Sequence, residues 1–399
     1  MSSLRTGTIA VIACGGIILL LSFGIRSSYG VFLQPVSTDL GWSREIFAMT
    51  IALQNLFWGF AQPFAGMIAD RYGSARVIIG GALMFGAGTL LMGYATTPLT
   101  AHIGAGFLVG VGIAGCGFST VLAAVGRSVA EEWRSMALGV ASAGGSLGLL
   151  VMVPMGQAFI DSVGWSVALI YLAALSLLMV PLAAALAGKP AAPAAANNQS
   201  ITESLREAVG HNSFLFLNAG YFVCGFHVTF ITTHFPAYVV DLGLGAEIGA
   251  WAIGIVGIVN VFSALGAGAL GDKFNKKYVL STLYLCRAAA IAIFMMTPPS
   301  VTSVMVFAAM IGLFWLGTVP VTSALVMQMF GLKHASMLLG IVFLSHQLGS
   351  FLGAWIGGYM FELSGSYDMV WWISVGLGVA AAALHWPIDE RPIERPAPA

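Results

Sequence analysis

The sequence predicts an all-α integral membrane protein, with twelve transmembrane helices in two pseudo-symmetric six-helix bundles. Three observations lead there. Of 399 residues, 58% are hydrophobic and only 8% are charged, where soluble domains run at about a quarter charged. Apolar stretches of about 20 residues, the length that crosses a bilayer as a helix, follow one another along the whole chain. The first half of the sequence also recurs in the second, about 200 residues later.

The spans read 8–34, 45–69, 76–95, 100–125, 135–160 and 163–186, then 212–239, 248–270, 277–296, 301–330, 335–361 and 369–386. The first has no small-residue cleavage site after it and runs on too far for a signal peptide. The segment Gly188 to Gly210 is the one long polar interruption: a Pro/Ala-rich half reads as a flexible linker, and Ser200 to Glu203 fits a capping box opening a short surface helix. The chain therefore divides into an N-terminal bundle (1–187), a cytoplasmic linker (188–210), a C-terminal bundle (211–387) and a cytoplasmic tail (388–399). The repeat runs through all of it. RSMALGVASAGGSLG from Arg134 lies over ASMLLGIVFLSHQLG from Ala335, GMIADRYGSAR from Gly66 over GALGDKFNKKY from Gly268, and FGIRSSYGVFLQPVSTDLG from Phe23 over CGFHVTFITTHFPAYVVDLG from Cys224. Parallel six-helix repeats are a transporter architecture, with substrate held between the halves near mid-bilayer.

Charge placement sets the expected orientation. Of the 16 Lys and Arg, Arg44 alone falls on the side away from the termini, Arg26 and Arg287 fall within spans, and all the others lie on the terminal side. Short loops rich in Lys and Arg face the cytoplasm, so both termini are expected there, in a plasma membrane, or the inner membrane of a bacterium. No Asp or Glu falls inside a span, and the net charge is zero, which gives no reason to expect a nucleic acid or an anionic surface as partner. The four cysteines lie within spans without paired spacing and read as small apolar residues. No nucleophile–base set, metal-ligand set or GxxxxGK[ST] motif appears, and GVGIAG sits inside a span with no strand before it. The sequence thus predicts no enzyme, no cofactor and no ATP-driven pump.

The loop GMIADRYGSAR resembles the signature between helices 2 and 3 of the major facilitator superfamily, and GALGDKFNKK its weaker copy between helices 8 and 9. Within that superfamily, RSSYGVFLQPVSTDLGWSRE is similar to helix 1 of the monocarboxylate transporter branch and its bacterial relatives, with Arg26, Tyr29 and Phe32 in the places of that branch's basic and aromatic residues. The resemblance implies the major facilitator fold and an organic-anion carrier. One departure stands out: the branch carries Asp and Arg four apart in helix 8, where this chain has Asn260 and Ala264, so the coupling ion is left open.

A charge at the bilayer centre costs roughly 2.5–3.5 kcal/mol by insertion measurements, which makes Arg26 the first candidate. It either snorkels toward the interface or receives a substrate carboxylate, whose two oxygens suit a guanidinium. His227 holds the repeat-equivalent place and is expected across the cavity from it, the alternative being a neutral histidine bonded to a carbonyl. His346 and Gln347 stand where the first half has Gly145 and Ser146. Tyr29, Asn55 and Trp315 complete the expected substrate site, with His234 a weaker candidate. Histidine titrates near neutral pH, so His346 and His227 are the proton-coupling candidates. Arg287 is expected to pair with helix carbonyls or Asn260. Gln54 and Gln62 are read as helix–helix hydrogen bonds.

Asp70, Arg71 and Arg76, with Asp272 and Lys273 in the second half, are expected to cap helix ends and to pair across the two halves as a cytoplasmic gate. The reading is a secondary transporter of a small organic anion, a monocarboxylate with protons as candidate co-substrate, working by alternating access as a monomer in the lipid bilayer. An exporter of amphipathic compounds and a non-transporting membrane sensor stand beside it.

Overall fold

The structure is a computed structural model that describes residues 6–129, 131–187, 201–331 and 335–393. The linker from Gly188 to Ser200, with the expected cap at Ser200, and the last residues of the tail lie outside the described residues.

Six membrane helices form each bundle. The first bundle contains α1 (Thr6–Leu40), α2 (Arg44–Tyr72), α3 (Ser74–Gly93), α4 (Pro98–Ser128), α5 (131–163) and α6 (165–186). The second contains α7 (Asn212–Asp241), α8 (Ala246–Lys273), α9 (Lys276–Met296), α10 (Val301–Phe330), α11 (Ala335–Ser364) and α12 (Asp368–His385). The short helix Ile201–Val209 precedes α7 and buries Ser204 and Ala208.

Among the described residues, ten helical segments are long and apolar enough to cross a membrane. One of them, Met136–Leu186, turns at Gly164, whose φ of 79° only glycine adopts freely, and so crosses twice as α5 and α6. The twelfth crossing is α2, 29 residues or about 43 Å long at 1.5 Å per residue. Its buried polar side chains Gln54, Asn55 and Gln62 lower its hydropathy. The DLG that closes both α1 and α7 ends in Gly41 (φ 64°) and Gly243 (φ 81°), so the repeat extends to turn geometry.

Each bundle is organised around one close pair of helices. In the first, α1 meets α5: a Cβ on Gly24 would stand 2.6 Å from the Gly148 carbonyl oxygen, and one on Gly148 would stand 2.4 Å from that of Leu20. In the second, α7 meets α11: a Cβ on Gly225 would stand 1.8 Å from the His346 oxygen, and one on Gly349 would stand 1.9 Å from that of Phe222. Without a solvent to expel, helices in lipid associate by such close backbone packing.

The links between the bundles concentrate on the face away from the termini. Arg44 donates to both oxygens of Asp241 (2.5 and 2.7 Å) and to the Tyr367 hydroxyl (3.1 Å), and its backbone N–H donates to Glu362 (2.7 Å). Phe361 lies 3.9 Å beneath the same guanidinium, and Trp355 donates to Glu45. Tyr367 in turn contacts His234 Nδ1 at 3.2 Å, while His234 Nε2 reaches the Ala354 carbonyl at 2.7 Å. At mid-helix two further hydrogen bonds join the bundles among the described residues, Gln347 donating to the Asn55 carbonyl and Asn260 to Ser146. Toward the terminal face, Gly66 of α2, Gly139 of α5, Gly266 of α8 and Gly340 of α11 have nothing within 4 Å of an added Cβ. Among the described residues, the hydrogen bonds between the bundles thus lie on the far face and at mid-helix.

Candidate functional site

Two helices break in mid-membrane, one in each bundle. In α4 the break is at Gly117 (φ −90°, ψ −172°). The freed Ala114 carbonyl accepts from Thr120 at 3.1 Å and from Gln62 at 3.4 Å. In α10 the helix stops at Leu313 and resumes at Thr318. Arg287 of α9 donates to the Phe314 carbonyl through Nε (3.1 Å) and Nη2 (2.6 Å), and also to that of Trp315. Asn260 of α8 accepts from the Leu316 N–H at 2.9 Å. Broken backbone is tolerated at membrane depth only where such groups re-satisfy it. Arg287 thus has the carbonyl partners expected of it, fully buried inside the second bundle.

Arg26 is placed differently. Its Nη2 donates to Asn55 Oδ1 at 2.5 Å, its guanidinium lies 5.0 Å from the Trp58 ring centroid, and its Nε is buried without a partner. No carboxylate is paired with it among the described residues. Asn55 holds its own side-chain nitrogen on Ile51, one turn back, and offers its backbone oxygen to Gln347 of the other bundle at 3.2 Å. Gln347 Oε1 lies 3.1 Å from His346 Nδ1, and the Ser350 hydroxyl lies 3.4 Å from both. The chain Arg26–Asn55–Gln347–His346 therefore crosses the bundle interface at mid-membrane.

Four of the expected site residues, Arg26, Asn55, His346 and Gln347, come together; the other three do not. Tyr29 turns into its own bundle, where its hydroxyl reaches Thr89 of α3 at 3.2 Å. His227 packs inside the second bundle, with Nε2 2.8 Å from the Ser374 carbonyl of α12. Its Nδ1 is buried without a partner, and repeat position alone does not bring the ring to the interface. Trp315 is buried at the α10 break, its carbonyl taken by Arg287.

The expected gate residues all lie at the terminal ends of their helices, and the contacts they make are within their own bundles. Asp70 meets Arg127 of α4 at 3.3 Å, Arg127 also bonds Ser74, Arg76 donates to the Tyr72 carbonyl, and Arg71 lies over Tyr72. Lys273 lies over Phe274, and Asp272 is exposed. The expected pairing across the halves does not appear among the described residues.

Residue-by-residue reading missed the aromatics. Phe23, Trp58 and Phe343 each stand three residues from a polar site residue, Arg26, Asn55 and His346 respectively. Side chains three apart share a helix face, so this spacing was the available signal.

The fold and this interface site define a two-bundle secondary transporter. The sequence profile of the Major Facilitator Superfamily matches residues 15–318 and 250–399, and the chain belongs to that superfamily. It is 26% identical over 374 residues to monocarboxylate transporter 13 of Rattus norvegicus, covering 87% of this chain and 81% of that one. It is 23% identical over 358 residues to the uncharacterized MFS-type transporter YcxA of Bacillus subtilis (strain 168), covering 86% of each. Among solved structures, it is similar to an inward-facing, occupied bacterial homolog of the human lysosomal transporter Spinster (TM-score 0.72, 15% identity, 97% of this chain and 95% of that one). It is also similar to a D-xylose-proton symporter (TM-score 0.71, 16% identity, 97% and 99%). The chain is a membrane transporter of a small molecule, related at low identity to monocarboxylate transporters.

Proposed function

We propose that the chain carries a small organic monoanion, a monocarboxylate, between the two faces by alternating access, with Arg26 as its anchor. The observation behind this is that the Arg26 guanidinium sits at the bundle interface with a buried, unpartnered Nε and no carboxylate to neutralise it. A carboxylate presents two oxygens to the edge of that fork, and such charge-assisted pairs are about twice as strong as neutral hydrogen bonds. Arg287 keeps an unpartnered Nη1 as well, but it is held on two carbonyls inside the second bundle, away from the interface. One guanidinium at the mid-membrane interface favours one carboxylate per substrate. The terminal face is taken as the cytoplasmic one by the Lys and Arg bias. His346, joined to Arg26 through Gln347 and Asn55, is the residue we assign to proton coupling.

The test is ligand-induced thermal stabilisation of purified protein by a panel of monocarboxylates. Wild type should be stabilised. Arg26→Ala should lose the effect while still folding, since a costly charge is removed, and Arg26→Lys should bind at least about tenfold more weakly, keeping charge without the fork. Equal binding by Arg26→Ala would make the arginine an anchor of the fold and move the amphipath-exporter reading ahead. His346→Ala should uncouple uptake from a pH gradient in proteoliposomes; full retention of the coupling would assign the proton elsewhere.

A further inference from the structure

The surroundings of Arg26 say more about the body of the substrate than about its charge. Phe23, three residues before it on α1, stands edge-on to Trp58 (centroids 5.5 Å, interplanar angle 72°) and to Phe118 beside the α4 break (4.3 Å, 65°). Trp58 lies under the guanidinium and stands edge-on to Phe343 of the other bundle (5.1 Å, 68°). Phe343 in turn is parallel to the His346 ring (6.1 Å, 6°). Phe23, Phe118 and Phe343 are only half-buried. Four rings from α1, α2, α4 and α11 thus gather about the Arg26 guanidinium, which has no carboxylate partner among the described residues, and one of them, Phe118, stands at the break of a helix. Edge-to-face contacts among themselves leave ring faces for a further flat partner.

From this geometry we infer that the substrate is a planar aromatic monocarboxylate with no cationic group, an inference that rests on the carboxylate reading above. The guanidinium takes the carboxylate, and the aromatic body enters among Phe23, Trp58, Phe118 and Phe343. The second half of the statement follows from charge. No Asp or Glu faces this space among the described residues, so an ammonium group would meet Arg26 with nothing to offset it. That argues against amino acids as substrates.

An aliphatic body of equal size would gain the same buried area, but only a flat ring gains the quadrupole contacts. The measurement is therefore binding of phenylacetate, cyclohexylacetate and acetate to the purified full-length protein by calorimetry. Phenylacetate should bind more tightly than cyclohexylacetate by about two- to tenfold, the range expected of one or two aromatic contacts, and acetate should be the weakest. Trp58→Leu should bring the phenylacetate-to-cyclohexylacetate ratio close to one, and Trp58→Phe, which loses the same N–H to Gln62 but keeps a ring, should restore it. A wild-type ratio of one or less, with Arg26→Ala losing both acids, would overturn the aromatic inference and leave the carboxylate reading standing. Arg26→Ala losing neither acid would overturn both.

Discussion

The two intramembrane arginines make the instructive comparison. Arg287 lies in the second bundle with no exposure, and its partners are carbonyls that the broken α10 cannot satisfy itself. Arg26 lies at the interface of the bundles with one side-chain acceptor and an idle Nε. Each keeps one buried nitrogen without a partner, Nη1 of Arg287 and Nε of Arg26, but the first is a splint inside its own bundle while the second is, as we propose, the anchor of the substrate between the two. Arg44, at the far face, is a third case: it is satisfied by a carboxylate of the opposite bundle, so its partner depends on the state of the molecule. Where a cation finds its acceptor decides whether removing it touches folding, binding or the balance of states.

Arg287 tests the comparison most severely. Arg287→Ala leaves the Phe314 and Trp315 carbonyls without donors in a dry seam, at roughly 1–3 kcal/mol each. The purified variant should melt about 5 °C or more below wild type, whereas Arg26→Ala should melt at or above it. Equal melting of the two variants would erase the distinction. Arg44→Ala should leave folding intact and release the far face. In a cysteine-free background, labelling of Gln34→Cys, which lines a small cleft there with Gly30, Gln157 and Pro236, should speed up about tenfold, as a partly buried bidentate pair worth about 1–2 kcal/mol is lost. An unchanged labelling rate would mean that packing of α2 on α11 holds the face closed without the ion pair. Asp70→Asn should have the smallest effect on stability. Its contact with Arg127 is solvent-exposed and worth at most about 1 kcal/mol, so melting should hardly move while turnover in proteoliposomes falls several-fold if Asp70 pairs elsewhere in the other state. Unchanged turnover would remove it from the gate.

The architecture was legible because lipid simplifies the code: apolar length fixes a span, and the bundles were written twice. Even α2, the least apolar of the twelve, read correctly as a span. The helix ends moved by a few residues, as with α1, expected over 8–34 and observed as Thr6–Leu40. The site was legible where a residue had no alternative. Arg26 cannot be neutralised, and its placement at the interface followed from that. His227 and Tyr29 could each find a partner in their own bundle, Ser374 and Thr89, and did. Repeat symmetry fixes a residue's place along its helix but not which neighbour its side chain chooses. The breaks in α4 and α10 were hidden because glycine and small-residue runs mark close packing as well as interruption.

Asn260 has a kinetic consequence. Its oxygen holds the Leu316 N–H of the interrupted α10, and its nitrogen holds Ser146 in the opposite bundle. Any rocking motion that separates α5 from α8 strips that amide of one partner while the other must be kept, in a seam that water has yet to enter. The exchange of a protein acceptor for a solvent one then falls at the top of the barrier, before hydration offsets it. Conformational turnover in this molecule should accordingly carry a large activation enthalpy, slowing steeply on cooling even where affinity for the substrate barely changes.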